Sequence, residues 1–328
     1  MLLDPDQIAD RRRLKRRLWL WRSVAAVLFV AVALLVAARF GAFGSLQNNR
    51  PQVARITVQG LLVPDRPLLE LIERVEKAET VKGVIVAIDS PGGATAAGEA
   101  LYAALRGLAE KKPTVAYVGS LAASAGYMTA IATDHIVARG SALTGSIGVL
   151  MQWPDVSKLM ETVGIRLEEI KSSPMKAEPN PFKPTSAEGR AMLDRAVRDT
   201  YEWFVGLVAE RRGFSSDLAH SLADGRVVTG RQALELRLVD AIGEESVARA
   251  WLTGRGVAAD LPVKDWKPKS PDGTWPFVRS LAEGATRGVI VALGLEHVAA
   301  AARPLDGLAS VWHLDARENP SNSGEIGR

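Results

Sequence analysis

GVIVAIDSPGG, residues 83–93, sets an apolar run directly against a Ser-Pro-Gly-Gly turn. No polar residue interrupts Val84–Ile88, so the run reads as a strand covered on both faces, as in the middle of a parallel sheet. The flanking sequence supports that reading. VARITVQG (53–60) reads as a strand, and residues 67–80 as a helix with Leu68, Leu69, Ile72 and Val75 on one face. Residues 95–112 read as a helix and TVAYVG (114–119) as the next strand. Short strands are expected at 135–138 and 147–151, and helices at 156–163 and 186–211 with a strand, IRLEEIK (165–171), between them. The β–α alternation, with no internal repeat, predicts an α/β domain around a largely parallel sheet.

Chemistry in such a sheet gathers at the carboxyl ends of the strands. Two loops fall there. One is Asp89-Ser90-Pro91-Gly92-Gly93, and the other runs from Gly119-Ser120 into LAASAGYMTA (121–130), where Ser124 is a lone hydroxyl at a helix start. Singly, the first is an ordinary tight turn and the second a small-residue packing surface. On successive strand ends they can offer backbone N–H groups to a developing oxyanion.

A serine nucleophile needs a base. His135 lies in the apolar ATDHIVA, His220 in a polar helical stretch, and His297 and His313 near the C-terminus. None forms a Ser/His arrangement. A lysine serves instead if burial keeps it neutral. KSSPMKAEPNPFKP (171–184) offers Lys171, Lys176 and Lys183, among which spacing alone does not choose.

The 328 residues contain no cysteine, which excludes disulfides, zinc–thiolate sites and a cysteine nucleophile. The net charge of +4 is entirely local: residues 1–22 carry seven Lys/Arg and three Asp, leaving 34 charges of each sign elsewhere. A nucleic-acid footprint is therefore not expected. Residues 1–17 read as a basic cytoplasmic segment. Residues 18–40 read as a transmembrane anchor: Leu18–Ala38 is interrupted only by Arg22 and Ser23, and Trp19 and Trp21 suit the interface. A cleaved signal peptide ending at Val36-Ala37-Ala38 is the rival, disfavoured by the length of the run. The basic flank places the rest of the chain across the membrane.

DSPGG (89–93), AASAGYMTA (122–130), TGSIGV (144–149), IKSSPMKAEPNPF (170–182) and GRVVTGRQALELRLVDAIG (225–243) together resemble the signal peptide peptidase A family. Its members are membrane-anchored Ser–Lys proteases of the ClpP/crotonase fold. The resemblance covers residues 53–255 and implies such a peptidase domain. It implies Ser124 as nucleophile, Lys176 as general base, the N–H groups of Gly92 or Gly93 and of Ala125 as oxyanion donors, and Ser146 as the hydroxyl that orients the lysine. No cofactor or metal is implied. Ala125 stands where the family usually has glycine, which is harmless unless that position needs a positive φ. Substrates would be remnant signal peptides or other membrane-released hydrophobic peptides, at the extracytoplasmic face of a bacterial inner membrane. The lone copies of the serine and lysine motifs imply a homo-oligomer with sites shared between subunits. The alternatives are a catalytically silent scaffold of the same fold and a ClpP-class protease specific for one membrane partner.

Beyond the resemblance, residues 257–274 read as a Pro/Lys/Asp linker and 275–314 as an apolar or amphipathic extension that can lie on membrane lipid or a partner subunit. Residues 315–328 read as a disordered tail.

Overall fold

The computed structural model describes residues 18–30, 50–268 and 309–311. Residues 18–30, within the expected anchor, are helical; the rest of that anchor lies outside the described residues. Among the described residues no helix is long and apolar enough to cross a membrane.

Residues from Gln52 onward form a unit built on an eight-stranded sheet. Its strands are β1 (Gln52–Gln59), β2 (Val81–Ser90), β4 (Thr114–Ala123), β5 (His135–Ala138), β6 (Leu143–Gly145), β7 (Val227–Thr229), β8 (Ala241–Ile242) and β9 (Val263–Trp266). The main order is β7-β6-β4-β2-β1-β9, with β5 bridging β4 and β8. Every pairing is parallel except β6 with β7. β3 (Gly92–Ala94) stands apart and pairs antiparallel with β10 (Ala309–Val311).

The apolar run at 83–88 is buried on both sides, as its sequence predicts. Val84, Val86 and Ile88 enter one core and Ile85 the opposite one. β1 and β4 divide likewise: Ala54, Ile56, Val58, Ala116 and Val118 face the first core, while Val53, Val115 and Tyr117 face the second. The first core is closed by α1 (Arg66–Lys77), α2 (Thr95–Ala109), α3 (Ala125–Ile131) and α5 (Ala187–Arg212), the second by α8 (Glu245–Gly254). Two-sided cover of a largely parallel sheet is the expected α/β architecture. Local signals fix helix ends: the Asp65 carboxylate accepts the Leu68 N–H at 3.0 Å to start α1, and Gly213, at φ 64°, ends α5.

Several expectations fail. The strand expected at 147–151 is displaced to β6, because Gly145 and Ser146 both take positive φ and end the ladder. IRLEEIK (165–171) forms no strand: it follows the short helix α4 (Ser157–Thr162), and residues 163–170 are exposed, with no sheet edge to pair. The stretch expected as a linker contains β9, whose Val263–Trp266 pair with Val53–Ile56. The 275–314 extension contains β10; its other residues, like residues 1–17 and the tail 315–328, lie outside the described residues.

Candidate active site

The site lies where β4 changes neighbours. Val115–Val118 pair with β5, but Leu121–Ala123 pair with β6. The chain then turns at Ser124 into α3. Ser124 holds φ 59° and ψ −121° and is 1% exposed. A serine with a positive φ costs on the order of 1–3 kcal/mol and is kept only when its surroundings over-determine it. Here they do: the Ser124 N–H donates to the Gly145 carbonyl at 2.8 Å, and the Ser124 carbonyl accepts the Met128 N–H at 2.9 Å. The neighbouring Ser146, 8% exposed at φ 51°, is fixed by its own N–H donating to the Arg226 carbonyl at 2.7 Å.

α3 lies close against its surroundings because it starts with small residues. A Cβ on Gly126 would meet the Ser90 carbonyl oxygen at 2.8 Å, so only glycine lets the helix approach β2. Ala125 is not among the residues with positive φ, and its methyl packs where a Cβ on Gly98 would come within 3.0 Å. The alanine therefore costs nothing at that position, and the bare face of Gly98 receives it. The Tyr127 hydroxyl, fully buried, donates to the Leu238 carbonyl at 2.8 Å, and burial pushes its pKa up.

The structure separates Gly92 from Gly93. Ser90 Oγ donates to the Gly60 carbonyl at 2.7 Å and accepts the Gly92 N–H at 3.1 Å. Gly92, at φ +101°, makes the turn, but its N–H is thereby engaged. Leu62 pairs alongside Gly93: the Leu62 N–H donates to the Gly92 carbonyl, and the Ala94 N–H to the Leu62 carbonyl, both at 2.8 Å. Strand alternation turns the N–H and C=O of Gly93 to the opposite edge. Of the two expected donors, Gly93 is the one not engaged within its own loop; its outward edge faces Ser310 of β10. Ser90, which sequence reading passed over, sets this division; its signal was a serine at the end of a fully buried strand.

Lys176 is exposed in the single chain, whereas Ser124 is buried. The expected desolvation of the lysine is therefore not met within one subunit. The other two lysines of the loop are committed elsewhere. Lys171 lies 2.9 Å from Glu169, and Lys183 lies 3.3 Å from Glu169 and 3.0 Å from Glu178. Lys171, and with it Lys183, holds the Glu169 carboxyl below its usual range. For Lys183 the pairing favours the charged amine, the wrong state for a base. Among the described residues no ion pair includes Lys176.

The histidines are placed away from this centre. His135 opens β5 opposite Val115, and the nine steps from Val115 to Ser124 span about 30 Å of extended chain. It stacks on Trp251 at 5.0 Å, and burial lowers its pKa. His220 is on the surface, 2.8 Å from Glu202. His297 and His313 lie outside the described residues.

Beside β3 a groove of about 200 Å³ is lined chiefly by apolar side chains, among them Val63, Leu69, Ala97, Ala100 and Leu101. Residues 150–186 bury only Asn180 and expose Leu159, Val163, Ile165, Leu167, Ile170 and Phe182.

Residues 106–256 match peptidase family S49. A Synechocystis sp. protein named as a candidate protease is 36% identical over 240 residues, covering 72% of this chain and 85% of its own. The chloroplastic serine protease SPPA of Arabidopsis thaliana is 35% identical over 199 residues, covering 60% of this chain but 29% of its own. Among solved structures, a ClpP1 variant from Listeria monocytogenes aligns with a TM-score of 0.39 at 15% identity, covering 58% of this chain and 91% of that one. The chain belongs to peptidase family S49 and is a serine protease related to signal peptide peptidase SppA.

Proposed function

We propose that this chain is a membrane-anchored endopeptidase of ClpP/crotonase-like arrangement whose nucleophile is Ser124 and whose general base is Lys176. The observation that carries the reading is the buried Ser124, held at a positive φ just past the end of β4, whose neighbour β2 runs into the Gly92–Gly93 loop. Ser124 Oγ attacks the scissile carbonyl carbon and gives its proton to Lys176 Nζ. The carbonyl oxygen takes the negative charge between the N–H groups of Gly93 and Ala125. As the tetrahedral intermediate collapses, the C–N bond breaks and Lys176 returns the proton to the leaving amine. Water then attacks the acyl ester by the same route, and Ser124 is regenerated. Ser146 orients the amine.

A lysine acts as a base only in its neutral form, which burial favours, so the exposed Lys176 has to be covered by something outside its own subunit. The apolar side chains of residues 150–186 support a homo-oligomer in which a neighbour covers this segment and brings its serine to Lys176. The apolar groove beside β3 favours hydrophobic peptides. With the basic, tryptophan-flanked N-terminal segment, this supports remnant signal peptides cleaved at the extracytoplasmic face of a bacterial inner membrane. The test is reaction with a serine-directed phosphonate: Ser124 should be labelled in the wild type and in Lys171→Ala, and labelling should fall at least 100-fold in Lys176→Ala. Labelling at wild-type rate in Lys176→Ala would remove the lysine from the mechanism.

A further inference from the structure

We propose that Glu178 is the positioning residue of the general base: its buried carboxylate fixes the turn that presents Lys176 and balances the charge beside it. The proposal rests on the reading of Ser124 and Lys176 given above and deepens it. Lys176 sits in a tight turn. Its N–H donates to the Ser173 carbonyl at 3.1 Å, and the Glu178 N–H donates to the Met175 carbonyl at 3.3 Å. Between them Ala177 holds φ 62°, a left-handed conformation that any side chain disfavours. Such a residue persists only where its neighbours over-determine it. Ser172, Ser173, Pro174, Lys176 and Ala177 are all exposed, so the turn has little packing of its own.

Glu178 supplies the anchor. Its side chain is 3% exposed, against 16% for Lys171, 25% for Glu169 and 36% for Lys183. One oxygen, Oε1, pairs with Lys183 at 3.0 Å. The other, Oε2, is buried with no hydrogen-bond partner among the described residues, and it lies over the first turn of α5. A Cβ on Gly189 would stand 3.0 Å from Oε2 and 3.4 Å from the Glu178 Cβ. The bare glycine thus makes room for the carboxylate at a helix position where alanine is the better helix former. The positive end of α5 favours a negative charge there.

The same carboxylate sets the charge of the loop. Glu169 and Glu178 are negative, Lys171 and Lys183 positive, and the four pair with one another. Lys176 is in none of these pairs and so has a neutral cluster for a neighbour. A cluster with excess positive charge favours the neutral form of a nearby amine, and one with excess negative charge favours its charged form. The elements packed against the loop add Glu188 and Arg190 in the first turn of α5. They also add Asp155 and Lys158, beside Val156, whose N–H donates to the Pro181 carbonyl at 2.8 Å. These four are the same in every variant below and cancel in the comparison.

The experiment follows the rate of phosphonate labelling at Ser124 against pH in the full chain. Glu178→Gln leaves two cations against one carboxylate, so the rate should reach half its maximum about half to one pH unit lower than in the wild type. Lys183→Gln leaves the opposite imbalance and should raise that midpoint by about as much. The double variant restores the balance and should return to the wild-type midpoint. Unfolding or lost assembly would slow labelling but would not move the midpoint in opposite directions. Gly189→Ala keeps every charge but displaces the carboxylate, and should be labelled about tenfold more slowly. Ser186→Ala is its control, because it removes only the helix cap that accepts the Gly189 N–H at 3.0 Å, and it should match the wild type. Midpoints that do not separate in opposite directions overturn the proposal. So does wild-type labelling in Gly189→Ala, or equal slowing in Ser186→Ala. Labelling of Lys176→Ala at the wild-type rate is a different failure: it removes the lysine as the base, and the role of Glu178 falls with it.

Discussion

Gly93→Ala tests the active-site loop most directly. A methyl there would stand 2.0 Å from the Leu62 carbonyl oxygen and 2.6 Å from its carbonyl carbon and amide nitrogen. All three are backbone atoms, so no rotamer relieves the clash. β3 must move off Leu62, loosening two hydrogen bonds of 2.8 Å. At about 1 kcal/mol net for each bond, the loss is about 2 kcal/mol. For a domain of this size that lowers the melting temperature by about 4–8 °C. The same displacement carries the Gly93 N–H away from the developing oxyanion, and loss of one such donor lowers kcat about 10²–10³-fold. Thermal unfolding and steady-state hydrolysis of an apolar peptide measure the two effects. Gly107→Ala is the control, because a Cβ there meets nothing within 4 Å. If Gly93→Ala keeps the wild-type melting temperature, the close approach to Leu62 is not as described. If it unfolds earlier yet retains kcat within a few-fold, Gly93 is not an oxyanion donor.

The shared-site reading predicts complementation. Ser124→Ala and Lys176→Ala subunits, each inactive alone, should recover roughly a quarter of wild-type activity when co-assembled in equal amounts, since that share of heterologous interfaces pairs an intact serine with an intact lysine. No recovery after demonstrated subunit exchange would confine the site to one chain. Tyr127→Phe should leave the Leu238 carbonyl without its buried donor and cost about 1–3 kcal/mol. Equal stability of that variant in urea unfolding would remove the bond from the account. His135 contributes a pH dependence, because burial lowers its folded pKa below the ordinary 6.5 and the unfolded chain then binds the proton more readily. Its contribution is present above about pH 6.5 and is lost as pH falls through the lower folded value. The melting temperature should therefore drop more between pH 7 and 5 in the wild type than in His135→Phe, and parallel curves would contradict the assignment.

What the sequence reveals depends on whether a residue's neighbours share its segment. β1, β2 and β4 were legible because their apolar residues face two cores, and a doubly covered strand leaves a continuous hydrophobic run. IRLEEIK has strand-like alternation but no partner edge, and a strand is defined by its partner. β9 was hidden for the converse reason: VKDW is half-polar at the edge of the sheet and reads as linker, yet pairs with the well-marked β1. β3 offers only Gly-Gly-Ala, too short and too bare for any periodicity.

The site divides along the same line. Ser124, Gly92 and Gly93 stand out as unusual residues at predictable strand ends. Choosing between the glycines required Ser90 Oγ, whose bond to the Gly92 N–H is a tertiary fact. Among the lysines, the ion pairs of Lys171 and Lys183 with Glu169 and Glu178 are likewise tertiary facts that spacing does not show. What remains is Lys176, the proposed base, which is exposed in a segment that exposes six large apolar side chains and buries only Asn180. Within one subunit these are two unrelated anomalies, an unburied base and an uncovered apolar surface. A neighbouring subunit seated on residues 150–186 would resolve both at once, because the area it removes from water would also strip water from the amine and favour its neutral form. In that arrangement assembly is the step that creates the base.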